Sequence, residues 1–218
     1  MRQNAPEQMK IKPGWFVAGA AAAILILLVL PLVVSYNRLV SRAQAVDSQW
    51  AQVQNVYQRR ADLIPNLVAT VQGAANFEKS TIIAVTDARA SVGRVQVNAN
   101  TPPNAQAFSQ FQSAQDSLSS ALSRLLVVVE NYPQLTATQA FRDLQAQLEG
   151  TENRIAVERM RFNDVARDYD TARLKFPTSI TAGLFGFEAK AYFQATPGAQ
   201  TPPVVQFPGS ATPSPSAT

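Results

Sequence analysis

The side chains that could do chemistry in this sequence are carboxylates, hydroxyls and amines, because histidine and cysteine are both missing from its 218 residues. That composition removes thiol nucleophiles, disulfides, the serine–histidine triad and nearly all zinc sites. Paired carboxylates could still serve acid–base or glycosidase chemistry if two of them faced one substrate. The candidates for such a pair are Asp62, Glu149, Glu152, Glu158 and Asp164.

All of these acids lie in segments with helical periodicity, and continuous helical seams do not indicate the concave pocket that a substrate needs. We therefore expect a protein without enzymatic activity. Carboxylates could also bind a hard cation, but no stretch has the dense Asp/Asn/Gly spacing of a calcium loop. We assign no catalytic residue, metal or cofactor.

The formal charge of +4 does not indicate a nucleic-acid partner, because no Lys/Arg cluster is interleaved with aromatic residues. Acid–base pairs three residues apart, such as Asp164 with Arg167, indicate a solvated helix face. No nucleic acid is expected among the partners.

An apolar, uncharged stretch runs from Trp15 to Val34. At 1.5 Å per residue its about 20 residues span roughly the 30 Å core of a lipid bilayer. A cleaved secretory signal would have an apolar region of only about 7 to 15 residues ending in a small-x-small site. We predict a flank over residues 1–14 and a transmembrane helix over residues 15–34.

Basic residues on either side of this helix bear on its orientation. Arg2, Lys10 and Lys12 precede it, and Arg38 and Arg42 follow it. The difference favours an N-terminus inside the cell and the remaining chain outside, in a single-pass membrane protein.

After the apolar stretch, apolar residues recur every three or four positions from Ala43 to Ala74, with Arg60 inside the pattern. Such a heptad pattern predicts a long helix packed against neighbours of similar length. Pro65 removes one backbone donor, frees the carbonyl of Ala61 and predicts a kink. The helix should end near Gly73, although one helix continuing across Gly73 is the alternative.

Three further amphipathic segments follow, over Ile82–Val95, Phe108–Tyr132 and Phe141–Phe176. Pro133 should stop the second of these, and Thr136-Ala-Thr-Gln139 reads as the capping box of the third. The predicted fold is therefore all-α: an up-and-down antiparallel four-helix bundle of long helices over residues 35–195, with an apolar C-terminal segment. Residues 196–218 are rich in Pro, Ser and Thr, and we expect them to be disordered.

The apolar C-terminal segment includes Leu184, Phe185 and Phe187. In a four-helix arrangement the chain leaves the last helix at the end where the first left the membrane. These residues could therefore reach the lipid interface. The alternative, which we favour, is that they pack on the end of the bundle.

Arg60 needs a partner if it is buried in the seam. If the first and last helices are antiparallel and Tyr36 lies level with Phe176, then residue 60 lies level with residue 152. Glu152 is the preferred partner, with Glu158 about a turn and a half away. Alternatively, Arg154 pairs with Glu158 within one helix and Arg60 extends to solvent.

Three motifs resemble the LemA family of bacterial membrane proteins: Tyr36-Asn-Arg-Leu-Val40, Arg59-Arg-Ala-Asp-Leu-Ile-Pro-Asn-Leu-Val68 and Leu148-Glu-Gly-Thr-Glu-Asn-Arg-Ile155. The resemblance continues through Phe176-Pro, Ala182-Gly-Leu-Phe-Gly-Phe187 and Tyr192-Phe193, and so covers about Tyr36 to Phe207. The family usually has an aromatic residue in place of Ala61 and a Tyr-Asn pair in place of Phe162-Asn163. The resemblance implies a helical bundle on one N-terminal anchor in the bacterial envelope, in a family without an agreed activity that has a relative associated with magnetosome membranes.

Our leading hypothesis is a membrane-anchored structural or adaptor protein. Its expected partners are the lipid bilayer, an unknown membrane or envelope protein and, in a homo-oligomer, a second copy. The residues assigned to structure or interaction are Arg59, Arg60, Asp62, Pro65, Asn66, Glu152, Asn153, Arg154 and Glu158. Leu184, Phe185 and Phe187 are assigned to the membrane interface.

Two alternatives stay open. In the first, the protein is a ligand-sensing or carrier bundle, with a small-molecule site among the polar seam residues Arg60, Gln115, Thr151 and Glu158. In the second, a carboxylate hydrolase, two acids would face a shared cleft.

Overall fold

A computed structural model describes residues 13–74, 77–95 and 102–194. Within these ranges the chain forms helices and their connections, without a strand. The helices are α1 (Pro13–Gln72), α2 (Lys79–Arg94), α3 (Ala105–Val129), α4 (Pro133–Thr136), α5 (Gln139–Leu174) and α6 (Thr178–Phe185). The all-α prediction is confirmed.

Helix α1 combines an apolar segment and a core segment in 60 uninterrupted residues. Every residue from 17 to 31 is exposed, whereas from Val46 to Val71 every third or fourth residue is buried. Of the helices in the described ranges, α1 alone is long and apolar enough to cross a membrane. One helix thus continues from a candidate membrane span into the core of the domain.

The direction of packing follows from contacts along α1. Its Arg42 donates from Nη1 to the carbonyl oxygen of Asp168 at 3.0 Å, while Arg60 meets Glu152 further along. Position numbers therefore rise on α1 as they fall on α5, so the two helices are antiparallel. Helix α3 runs in the same direction as α1, because Phe108 contacts Trp50 and Gln115 contacts Arg60.

The core contains two apolar clusters. An aromatic cluster lies nearer the apolar segment of α1, and its central rings are Trp50, Tyr57, Phe108, Phe111, Phe162 and Phe193. A mainly aliphatic cluster begins two turns beyond Tyr57 with Ile64 and includes Leu67, Leu118, Leu125 and Leu148. Between Tyr57 and Ile64, the buried position on this face of α1 is Arg60.

Several local predictions can be compared with the structure. Helix α1 ends at Gln72, as predicted from Gly73, but it continues as a helix through Pro65. The capping-box assignment is wrong: Thr138 is the N-cap of α5, and its side chain accepts a hydrogen bond from the Phe141 N–H. Pro133 does not stop α3, which already ends at Val129. It begins the short helix α4 instead, where a missing N–H has no cost.

After α6 the chain reverses direction and runs along α5. Gly186 adopts φ 71°, a left-handed conformation that favours glycine, and the Phe187 N–H donates to the Ala182 carbonyl at 2.9 Å. Residues 187–194, which we call the C-terminal strap, then return to the aromatic cluster, where Phe193 is buried. The predicted disorder over residues 196–218 lies outside the described residues, as does most of the 1–14 flank.

Candidate functional site

The most unusual buried group in the structure is the guanidinium of Arg60, whose side chain is 1% exposed. Its Nη1 donates to Ser119 Oγ at 2.6 Å and to Glu152 Oε1 at 2.8 Å. Its Nη2 donates to the side-chain oxygen of Gln115. The structure therefore has Glu152 as the acidic partner of Arg60, as predicted.

Helix geometry explains how these groups converge. Gln115 and Ser119 are one turn apart on α3, so both point toward α1. Glu152 reaches the same point from the antiparallel α5. Its side chain remains 42% exposed, so water solvates part of its carboxylate. The face of the Tyr57 ring covers the guanidinium, with 5.1 Å between the ring centroid and Arg60 Cζ. Within the described residues, Arg60 Nε is left without a hydrogen-bond partner.

This environment also affects Tyr57, which is buried beside the cationic cluster. Burial raises the pKa of its phenol to about 12, and the nearby charges of Arg159 and Arg60 oppose that rise only in part. The phenol therefore stays protonated at physiological pH and can donate a hydrogen bond.

Glu158 has other partners than the one proposed for it. Its carboxylate accepts from Gln49 of α1 and from Arg161 Nη1, the latter at 2.8 Å. Arg154 is exposed. The alternative in which Arg154 pairs with Glu158 while Arg60 extends to solvent is wrong.

The other predicted interaction residues lie on the surface. Arg59, Asp62 and Asn66 are exposed, and with Gln52 and Asn55 they form a row spaced by three and four residues along α1. We call these five residues the polar stripe; it faces away from both core clusters. Pro65 is exposed beside the stripe, and Asn153 and Arg154 are exposed on α5.

A cavity of about 370 Å³ opens between α1, α2 and α3 beside Arg60. Its lining includes Gln54, Tyr57, Gln58, Ala61, Arg89 and Gln115. Of the four polar seam residues proposed to surround a ligand, only Gln115 lines this cavity, while Arg60 lies directly behind it. Thr151 is buried and donates its hydroxyl to the Gln147 carbonyl at 2.7 Å.

The candidate acids are distributed over several surfaces. Glu149 and Glu152 line the same cleft, of about 360 Å³, between α3 and α5. The Glu152 carboxylate is bonded to Arg60, and that of Glu149 accepts from Gln145. In the described ranges no group of acidic residues is arranged to hold a metal ion.

The three residues assigned to the membrane interface divide between two environments. Phe187 is half-buried against the aromatic cluster, with its ring 5.7 Å from that of Tyr36. Leu184 and Phe185 are 69% and 55% exposed, although Phe185 also contacts the Tyr36 ring at 4.9 Å. Packing on the bundle end, the favoured alternative, thus describes Phe187 and only part of Phe185.

Sequence reasoning missed the bonds that hold the C-terminal strap. The side-chain amide of Asn163 forms two hydrogen bonds with the backbone of Phe193. It donates to the Phe193 carbonyl and accepts from the Phe193 N–H, each at 2.9 Å. The Tyr192 hydroxyl donates to Asp170 Oδ2 at 2.8 Å. Periodicity alone cannot find these contacts, because they join a helix to a segment without regular structure.

Most of the chain matches a known protein family. The sequence pattern of the LemA family matches residues 49–207. The chain belongs to the LemA family. This match includes the Arg60–Glu152 pair, α2 to α6 and the C-terminal strap.

Individual relatives have low sequence identity to this chain. The chain is 25% identical over 220 residues to the magnetosome protein MamQ of Magnetospirillum gryphiswaldense, covering 92% of this chain and 79% of the relative. It is 26% identical to magnetosome protein MamQ 2 of Paramagnetospirillum magneticum, covering 78% of this chain and 69% of the relative. It is 22% identical to protein LemA of Metamycoplasma hominis, covering 73% of this chain and 69% of the relative.

Proposed function

We propose that this protein is a non-catalytic adaptor of the bacterial cell envelope, in which an up-and-down four-helix bundle on a single membrane span binds another membrane or envelope protein. The observation that carries the proposal is the continuity of α1. The helix that crosses the bilayer also displays the polar stripe, so the stripe is held at a set height above the membrane.

The dimensions of α1 support the anchor. Trp15 and Tyr36 flank the apolar segment, and the about 21 residues from one to the other rise about 32 Å, close to the thickness of the hydrocarbon core. Aromatic residues are common at both membrane surfaces, where one part of the ring system is apolar and the other is wet. Two relatives are named magnetosome proteins, which supports a role at a membrane. The basic residues before the span favour a bundle on the outer side.

The polar stripe supports protein binding rather than core packing. All five of its side chains are exposed and polar, yet they keep the spacing of one helix face over four turns. A neighbouring helix can lie along such a face through hydrogen bonds and one acid–base pair, which suits a reversible complex. The partner is therefore expected to present a complementary polar surface.

Photocrosslinking in native membranes tests this proposal. A photoreactive amino acid at Asn66 should yield one discrete crosslinked protein, and Arg59→Glu in the same chain should weaken that product. Gln147 is the matched control, because it is exposed on α5 and about level with Asn66 in the antiparallel register. Equal products from both positions, or none from Asn66, would contradict the proposal. A product of two copies of this chain would identify the partner as a homo-oligomer.

The cavity beside Arg60 favours a second candidate function, a small-molecule sensor. Amide groups of Gln54, Gln58 and Gln115 and the Tyr57 phenol surround a space that Ala61 leaves open. Native mass spectrometry of the full chain, purified from its own membranes, would show a bound small molecule as an added mass. Ala61→Trp should remove that mass by filling the cavity. If the wild-type chain carries no added mass that Ala61→Trp abolishes, this candidate function is excluded.

A further inference from the structure

Helix α6 has its polar and apolar faces reversed relative to a helix on the surface of a water-soluble domain. The residues that it buries against the bundle are Thr178, Thr181 and Ala182. Its opposite face contains Ile180 and Leu184, which are 54% and 69% exposed, and Phe185 at the end of the helix is 55% exposed. A helix surrounded by water on its outer side would normally bury these apolar residues and expose the threonines.

The connection before α6 continues this apolar surface. Leu174 and Phe176 are 68% and 81% exposed at the end of α5. Together with Ile180, Leu184, Phe185 and the half-exposed ring of Tyr36, they form a surface that we call the apolar collar. Large exposed apolar patches mark contact with another protein or with a membrane.

The height of the collar on α1 distinguishes these two partners. Tyr36 lies two residues beyond Val34, the last residue of the apolar segment, and its ring contacts Phe185 at 4.9 Å. The collar is therefore continuous with the exposed apolar surface of α1. Any bilayer that contains the α1 span has its surface at this level, so the collar meets lipid there.

Charged residues at the same level fit a membrane surface. Arg38 follows Tyr36 by two positions, Lys175 lies between Leu174 and Phe176, and both cations are exposed. Their long apolar stems can lie along the collar while their charges reach lipid phosphates. Aliphatic and aromatic residues below a row of cations are the pattern of a helix that lies in the membrane interface.

We propose that the apolar collar inserts into the lipid interface of the membrane that α1 spans, so that α6 lies on the bilayer as a second attachment point. The inference rests on the membrane span of the proposed function. With two attachment points, α1 and α6, the bundle is held at a set tilt on the membrane surface. The occupant is the interfacial layer of acyl chains and phosphate headgroups.

The absence of cysteine in the sequence allows single nitroxide labels to test this placement. The full chain would be reconstituted in vesicles of phosphatidylcholine and phosphatidylglycerol, with one cysteine introduced at Leu184 or Ile180. Val127 is the matched control, because it is a similarly exposed apolar residue far from the span on α3. Leu27 reports on the span itself. Collision with oxygen and with a water-soluble nickel chelate measures the depth of each label.

We expect labels at Leu184 and Ile180 to lie roughly 5–10 Å into the interface, while the label at Val127 behaves as aqueous. The label at Leu27 should lie deeper than either. A deep Leu27 label with aqueous labels at Leu184 and Ile180 would overturn the collar and leave the span intact. An aqueous Leu27 label would overturn the span and the collar together. Protection of Leu184 from both oxygen and nickel would show that protein covers the collar, and would also overturn the proposal.

Discussion

Arg89 of α2 donates from its Nε to the carbonyl oxygen of Ala61 in α1 at 3.2 Å. This carbonyl is the one that Pro65 leaves without an intrahelical donor, because proline has no backbone N–H. A side chain from a neighbouring helix thus replaces the missing hydrogen bond, and α1 continues through Pro65.

The first prediction is that Arg89 and Pro65 are energetically coupled. Replacing Arg89 with Ala should destabilise the wild-type protein but have almost no effect in a Pro65→Ala background, where residue 65 regains its own N–H. The coupling free energy should be about 0.5–1 kcal/mol, as expected for one exposed hydrogen bond. Urea unfolding of the four proteins in detergent, followed by circular dichroism, measures it. Arg94→Ala, an exposed change five residues away, should show no coupling to Pro65; equal coupling at Arg94 would refute the assignment.

The second prediction concerns the unequal burial of Arg60 and Glu152. Glu152→Gln leaves a guanidinium buried without its counter-charge and should cost about 2–3 kcal/mol of unfolding free energy, below the full buried-pair value because Glu152 is partly exposed. Arg60→Met should cost less, about 1–2 kcal/mol, because the freed carboxylate can turn to solvent while Gln115 loses a partner.

Urea unfolding of both variants measures whether Glu152→Gln costs more than Arg60→Met. The exposed neighbour Glu149→Gln should change the unfolding free energy by less than about 0.5 kcal/mol and serves as the control. Losses below about 1 kcal/mol for both Arg60→Met and Glu152→Gln would mean that the pair is not buried in solution.

The third prediction is that the C-terminal strap, rather than the tail beyond it, contributes to stability. Phe193→Ala removes a buried ring from among Trp50, Phe108 and Phe162, and should cost about 3 kcal/mol or more. Truncation after Gly198 should leave the melting temperature unchanged, because the deleted residues are mostly Pro, Ser, Thr, Gly and Ala and would contribute few buried contacts. Truncation after Ala191 should lower it like Phe193→Ala. A loss of several degrees on truncation after Gly198 would contradict this division.

The fourth prediction is a loss of stability at alkaline pH through Tyr57. Its folded-state pKa of about 12 is higher than the ordinary value of 10.0. The unfolded phenol therefore releases its proton first, and the stabilisation, fully present below about pH 10, decreases as the pH rises toward 12. Tyr57→Phe should reduce the loss over that range by on the order of 1–2 kcal/mol. Unfolding curves at about pH 7, 10 and 11.5 isolate this slope from any change at neutral pH; parallel slopes for both proteins would refute it.

The fifth prediction concerns orientation. A cysteine at the exposed Asn66 should react with a membrane-impermeant maleimide in intact cells, because the basic residues before the span favour a bundle on the outer side. Labelling after lysis gives the total accessible fraction and serves as the reference. Reaction only after lysis would reverse the orientation.

The Arg60–Glu152 pair is a tertiary contact that could be predicted from sequence patterns. Heptad seams predict straight antiparallel helices, and the rise of about 1.5 Å per residue then sets which residues lie level. That arithmetic holds because α1 and α5 remain helical over their whole overlap. The kink predicted at Pro65 rests on the missing N–H alone and stays a prediction, and periodicity does not indicate that Arg89 would supply a donor.

Short elements were harder to predict because their conformation depends on contacts remote in sequence. Thr136 and Thr138 have the same side chain, but Thr136 is the last residue of α4, and Thr138 is the residue that caps α5. Asn163 looks like any polar residue on a helix until Phe193 returns to it across 30 positions. Sequence reasoning favoured packing of the apolar residues of α6 on the bundle end, because periodicity does not show which face of so short a helix is exposed.

The continuity of α1 has a mechanical consequence. A helix of 60 residues is about 90 Å long, and α1 stays helical past the apolar segment, including at Pro31. In the proposed membrane orientation, a partner that turns or leans the bundle therefore also turns or leans the apolar segment of α1. Conversely, a change in bilayer thickness that tilts the span would move the far end of the bundle sideways, as a lever amplifies a small displacement near its pivot.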